Sequence, residues 1–230
     1  MLASPGQYLE VSSMHSPRQV FTLVSKKTRT QHRFRGVLMP CSSHPSIRRV
    51  KRKGSNPSIH GNKLWKSSCL LIDYLQKNPT PHCTSVIDVG CGWGISGIWC
   101  AKKLGAEVVS VDADSSVFPY LNTVAELNHV TTTPLVSRFE QLSVEQLSRF
   151  DMLIAGDICF WDELAKPVSQ LVDRAVEAGI KRILIADPER APFFVMAEHC
   201  VKQHCAEIID WQAKGSSIQA RGALMLIENA

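Results

Sequence analysis

The stretch "VIDVGCGWGISG", Val86 to Gly97, decides how this chain folds. It starts as an apolar run with one acid, Asp88, set inside it, and passes into three glycines, Gly90, Gly92 and Gly94, spaced two apart. Branched apolar residues followed by dense glycine describe a buried strand that ends in a tight turn. Side chains are missing there because something must touch the backbone.

Working outward, the same pattern recurs. "EVVSVD", "TPLVS", "DMLIAGD" and "RILIAD" read as further short strands, and helices are expected at about 94 to 104, 116 to 128 and 167 to 178. Gly105 and Gly179 stand where helix C-caps belong. Upstream, "NKLWKSSCLLIDYLQKN" carries Leu64, Trp65, Ser68, Leu71, Ile72 and Leu75 at helical spacing and is stopped by "NPTP". After a helix near 192 to 204, "AEIIDWQA" and "ALMLIENA" are separated only by "KGSSIQARG", too short for a crossover helix, so these two strands should form an antiparallel hairpin. The fold class expected is α/β: a Rossmann-like, doubly wound, seven-stranded sheet, mostly parallel, with an antiparallel C-terminal hairpin strand.

In such a sheet the turn after the first strand opens a helix whose unpaired N–H groups form a positive end, and ligands collect at the carboxyl ends of the strands. The dinucleotide fingerprint GxGxxG would need glycine at position 95, which is Ile95, so a nicotinamide or flavin site is disfavoured. "VVSVDAD" ends its strand in Asp112, 20 residues beyond Gly92, where a carboxylate can accept hydrogen bonds from two ribose hydroxyls. Turn, strand context and acid spacing together point to a nucleoside ligand.

These residues resemble the seven-strand, class I S-adenosylmethionine-dependent methyltransferases over residues 60 to 230, most specifically in "VIDVGCGWG" followed by "VVSVDAD". The resemblance implies S-adenosyl-L-methionine as cofactor. Asp88, Gly90, Gly92 and Gly94 would surround its methionine end, Asp112 would hold its ribose, and Cys91, Trp93 and Ala113 would complete the site. Trp65 either closes over the cofactor or fills the core from a helix face.

Methyl transfer from a sulfonium needs alignment and dryness more than acid–base machinery, and for an amine acceptor a free lone pair. A carboxylate at the pocket mouth can seat that amine, and Asp157 supplies one at the end of the fourth strand. The Asn-Pro-Pro-aromatic motif of amino-base methylation is absent. "DMLIAGDICFWDEL" and "RILIADPERAPF" resemble the protein-lysine methyltransferase branch that includes the electron-transfer-flavoprotein β-subunit enzymes and their bacterial relatives. That branch carries Asp-x-x-Tyr after the fourth strand; here the run is Asp157-Ile158-Cys159-Phe160, so the acid agrees and the aromatic lacks its hydroxyl, with Trp161 beside it. The resemblance implies an N-methyltransferase acting on a protein lysine, Asp157 orienting the acceptor and Phe160 walling its channel. "HGNKLWKSS" resembles bacterial relatives that carry nicotinamide N-methyltransferase labels, which keeps a small-molecule amine open as acceptor. Arg190 or Glu189 could meet a charged acceptor, a structural salt bridge being the plainer reading, while Phe193 and Phe194 read as core.

The chain has 230 residues, 44% hydrophobic, enough for one sizeable core. Its net charge of +5 is uneven: up to Lys63 there are 12 Lys and Arg against one acid, Glu10, and from Leu64 onward 14 against 20. Residues 1–58 are therefore set apart as a basic, disordered segment without a core, and 59–230 as the methyltransferase domain. "SIRRVKRKGSNPSIHG" suits a solvated tail, or a nucleic-acid or acidic partner, and its composition also permits a transit peptide; a start at Met39 is a further option. No apolar run approaches the about 20 residues that cross a bilayer, and eight cysteines without a framework read as reduced thiols, so a cytoplasmic location is expected. His199-Cys200 and His204-Cys205 have a spacing that could gather metal ligands, but a helix end with ordinary cysteines is the preferred reading and no metal ligand is assigned.

Overall fold

The computed structural model describes residues 30–57, 61, 63–80 and 82–229. In chain order the elements are β1 (Gln31–Phe34), β2 (Val37–Pro40), α1 (Pro45–Arg52), α2 (Ser67–Lys77), β3 (Ser85–Val89), α3 (Ile95–Lys103), β4 (Glu107–Asp112), α4 (Phe118–Asn128), β5 (Thr133–Val136), α5 (Val144–Leu147), β6 (Met152–Gly156), α6 (Asp162–Glu177), β7 (Arg182–Asp187), α7 (Ala191–His204), β8 (Glu207–Lys214) and β9 (Gln219–Glu228). Seven strands form one sheet in the order β5-β4-β3-β6-β7-β9-β8. The first five of these are parallel; β9 runs antiparallel to β7, and β8 antiparallel to β9, as the short connection between them requires. The chain reverses its direction of winding between β3 and β6, and that switch opens a crevice at the strands' carboxyl ends.

Strand periodicity divides the core into two. Val86, Met152, Ile154 and Leu184 pack with the buried residues of α2, α3 and α4 on one face, while Ile87, Leu153, Ile183 and Ile185 pack with those of α6 and α7 on the other. α6 begins at Asp162, five residues before the expected start, because Asp162 and Glu163 suit its positive end and Pro167 is carried inside the helix. At the end of α7, Cys200 is buried and Cys205 is an exposed C-cap in left-handed conformation, so neither thiol joins a shared helical face.

The front segment departs from expectation. Residues 31–52 fold: β1 and β2 make a hairpin through Arg35 and Gly36, both at positive φ (46° and 87°), as a two-residue turn of the primed kind demands. Phe34, Val37, Met39, Ile47 and Val50 join the first core. The cations that gave the segment its disordered look lie outside it: Arg48, Arg49, Lys51 and Arg52 are exposed on α1 while Ile47 and Val50 face inward. Three polar anchors fix the hairpin. The Asn128 side chain accepts from Leu38 N–H at 2.8 Å and donates to Leu38 O at 2.9 Å; Trp99 Nε1 donates to Arg35 O at 3.2 Å; and Arg35 Nε donates to Asp73 at 2.9 Å. Asp73 is fully buried on α2 and also receives Lys77 and Trp211; burial raises its pKa, but Lys77 and Arg35 outweigh it and hold the carboxyl below its ordinary range. Met39 lies inside β2, so a start there would remove β1 and Phe34. The tail, partner and transit-peptide readings of residues 1–29 and 58–60 fall outside the described residues. Among the described residues no helix is long and apolar enough to cross a membrane.

Phe34 is 2% exposed against the β8–β9 turn at Gly215, so Phe34→Ala should cost about 3–5 kcal/mol of unfolding free energy, measured by urea denaturation. A loss below about 1 kcal/mol would show the hairpin to be an appendage.

Candidate active site

The three glycines of the turn serve different ends. Gly90, Gly92 and Gly94 have φ of 67°, 52° and 72°, a region glycine enters without strain. A Cβ on Gly90 would lie 2.5 Å from Ile158 Cγ2, and one on Gly94 2.0 Å from Leu121 Cδ1, so close packing demands both. A Cβ on Gly92 would meet nothing within 4 Å, because that position faces a cavity of about 290 Å³. The turn is pinned by Cys91 N–H donating to Val111 O at 3.0 Å and Gly94 N–H to Cys91 O at 2.8 Å.

Asp112, at the end of β4, completes this side. Its Oδ2 accepts from Gly92 N–H and its Oδ1 from Asp114 N–H, each at 3.0 Å, leaving each oxygen one further lone pair toward the cavity it lines. Burial raises its pKa, with those N–H groups opposing. Ala113 lines the cavity too. Trp93 borders it from a buried position, stacked on Tyr120 (5.2 Å between centroids, 8° between planes), and its Nε1 donates to Gly61 O at 2.9 Å. Trp65 precedes α2 rather than lying on a helix face; it lines the cavity and meets Phe160 edge to face at 5.1 Å.

Asp88 stands apart. It is not in the cavity wall; its Oδ2 accepts from Gly97 N–H at 3.0 Å behind the turn, which seats α3 on β3. Burial pushes its carboxyl up to about 7, with the Gly97 N–H opposing.

The opposite rim is built at the ends of β6 and β7, where Asp157 and Glu189 both adopt positive φ (59° and 72°), a strain that non-glycine residues keep only where the surroundings enforce it. Arg190 bridges this rim: Nη2 donates to Asp157 Oδ1 at 2.7 Å, Nη1 to Asp187 Oδ2 at 2.8 Å, and its guanidinium lies 4.3 Å from the Phe160 ring centre. Burial pushes Asp187 up to about 6 against the opposing Arg190 N–H and guanidinium. Asp157 is 4% exposed and borders the cavity, yet its Oδ2 has no hydrogen-bond partner among the described residues. Phe160 and Trp161 line the same mouth, Trp161 being 56% exposed; Phe193 is fully buried core. The structure thus gathers every site residue expected from sequence except Asp88. It adds the segment Ser137–Glu140 after β5 and the double salt bridge of Arg190, the first without a sequence signal beyond its place after a strand.

A bare Gly92 beside the free lone pairs of a strand-end carboxylate fits a nucleoside with vicinal hydroxyls, and an anionic, aromatic mouth fits a cationic sulfur. The fold is that of S-adenosylmethionine-dependent methyltransferases: a solved member from Agrobacterium tumefaciens superposes with a TM-score of 0.55 at 11% identity, over 72% of this chain and 63% of that one. The lysine methyltransferase family model matches residues 45–198, and the chain belongs to that family. It is 27% identical over 162 residues to the human electron transfer flavoprotein beta subunit lysine methyltransferase (70% of this chain, 60% of that protein) and 27% over 154 residues to the Danio rerio one (66% and 57%). The chain therefore spans about three-fifths of the length of these relatives.

Asp112→Ala removes a charged acceptor and should weaken S-adenosylmethionine binding by about 10- to 100-fold in calorimetry; an unchanged dissociation constant refutes the ribose assignment. Asp88 yields a pH test. Its folded pKa lies above its unfolded value, so its contribution is complete below the unfolded pKa of about 3.9 and is lost as pH rises through about 7. Thermal unfolding midpoints should fall as pH rises from about 4 to about 7, and more shallowly in Asp88→Asn, whose amide oxygen still accepts from Gly97.

Proposed function

We propose that this chain is an S-adenosylmethionine-dependent N-methyltransferase that modifies a protein lysine side chain. The observation that carries this reading is the buried, unpartnered Oδ2 of Asp157 at the cavity's aromatic mouth. The family and the names of the human and Danio rerio relatives support the acceptor class.

S-adenosylmethionine supplies a methyl group on a positively charged sulfur, and the acceptor must present a neutral lone pair in line with that bond. Gly92 and Asp112 hold the nucleoside; Asp157 Oδ2 accepts an N–H from the incoming amine and aims its lone pair at the methyl. Trp65, Phe160 and Trp161 form an apolar sleeve that suits the four-carbon stem of lysine and keeps water out. Because Phe160 has no hydroxyl, orientation falls to Asp157 alone.

Arg190 is a positioning residue here. A lysine ammonium ionises near pH ~10.4 in water and must shed a proton to react. An unpaired Asp157 carboxylate would favour the ammonium, whereas the Arg190 guanidinium offsets that charge and favours the amine.

Asp157→Asn tolerates the positive φ and removes the charge, and should lower methyl transfer by about 100-fold or more with S-adenosylmethionine affinity within about twofold of the parent. Full turnover in that variant defeats the assignment. Arg190→Gln should move the rising limb of the rate against pH upward by about one unit, with Arg190→Lys closer to the parent. Radiolabelled S-adenosylmethionine incubated with lysate split into protein, RNA and small-molecule fractions should label lysine in protein; label confined to another fraction assigns the acceptor there.

A further inference from the structure

Away from the cavity, the paired helices α6 and α7 carry a cluster that methyl transfer does not use. His199 Nε2 lies 3.0 Å from Asp173 Oδ1, and His204 Nε2 lies 2.6 Å from the same oxygen. The three donor atoms all fall within 4.8 Å of one another. The two imidazoles are set at 70° to each other with centres 6.3 Å apart, so they approach one point from different sides rather than stacking. All three side chains are partly exposed, which leaves the point open to solvent from outside.

Sequence alone puts the two histidines five apart, a spacing that does not share a helical face. They converge because His204 ends α7 at its left-handed C-cap, Cys205, and because Asp173 reaches across from α6. Asp173 is 26 residues from His199, so local spacing gives no hint of it. Burial raises the Asp173 pKa, but His204 and His199 outweigh that and hold it below its ordinary range.

We propose that Asp173, His199 and His204 form a binding site for a divalent zinc ion that staples α6 to α7. Two neutral imidazole nitrogens and one carboxylate oxygen form a donor set matched to zinc, at bond lengths of about 2.0–2.2 Å, with the fourth position left to water. Hard magnesium and calcium prefer all-oxygen shells and should not compete. In the metal-bound form each imidazole would be neutral, coordinating through Nε2 with its remaining ring proton on Nδ1, so uptake should weaken as pH falls. The staple holds the two helices near their carboxyl ends. Their amino ends are capped by Trp161 and Arg190, so the same pair of helices frames the acceptor mouth.

The test uses the untagged full chain, zinc chloride alone as probe, and a competing chelator to set free zinc. The parent should take up zinc at micromolar or lower free concentration and gain about 5 °C in unfolding midpoint near 100-fold excess over the dissociation constant, with no response to magnesium. His199→Ala with His204→Ala, and separately Asp173→Asn, should each weaken uptake tenfold or more while retaining S-adenosylmethionine binding, which reports an intact fold. Cobalt substituted for zinc should give the visible absorption of a four-coordinate nitrogen–oxygen site, lost in both variants. No uptake by the parent, or uptake weakened less than tenfold in the double variant, overturns the proposal; the latter places the metal elsewhere on the chain.

Discussion

The hydrogen bond from Gly92 N–H to Asp112 Oδ2 is the constraint on which the rest of the active side depends. It ties the first turn of the sheet to the end of the neighbouring strand, and so fixes the distance between a bare stretch of backbone and a carboxylate with lone pairs to spare. Neither partner can move alone: Cys91 is bonded to Val111 one residue before Asp112, and α3 is seated by Asp88 from behind. Asp88 and Asp112 thus divide the work of one acid pair. The deeper carboxyl builds the turn and tolerates a raised pKa because nothing at the ligand needs its charge. The shallower one keeps two oxygens facing the cavity.

Across the switch point the arrangement is electrostatic rather than conformational. Two carboxylates, Asp157 and Asp187, end adjacent parallel strands, and like charges held so close would repel without Arg190 between them. The guanidinium fork satisfies both geometries and lies on Phe160, using its flat face as well as its edge. Asp157 spends one oxygen on this bridge and keeps the other at the cavity. The strained backbone at Asp157 and Glu189 is the cost of aiming both strand ends inward.

How much of this was legible follows from which forces are local. The seven strands, their order of appearance and the antiparallel end could be read because hydrophobic period and connection length act over a few residues. Gly90, Gly92, Gly94 and Asp112 could be read because the turn and the acid lie at a fixed spacing. The β1–β2 hairpin was missed because its cations dominate composition, although "RFRGVLM" carries an arginine–glycine turn between apolar residues. Sequence gives the position of Asp88 in its strand but not its side of the turn, and the structure sets its carboxyl behind the turn on Gly97 N–H. The convergence of Asp173 with two histidines, and of Arg190 with Asp157, arises from packing between separate elements, which no local pattern encodes; only the Arg190–Asp187 half of that bridge is local.

The folded front segment borders a second cavity beside the site. Lys63, Leu64 and Trp65 line the 290 Å³ cavity and also a second one of about 300 Å³, whose other walls are Met39 to Ser42 and the β8–β9 turn. Trp65 is thus a partition, with Lys63 4.0 Å from its ring centre and Phe160 on its edge. Across the second cavity from Trp65 stands the hairpin, held by Asn128 on α4 and by Asp73 on α2. The basic front of the chain, which composition alone sets apart, is in its residues 31–52 part of the folded core, and its Met39 to Ser42 wall the second cavity beside Trp65.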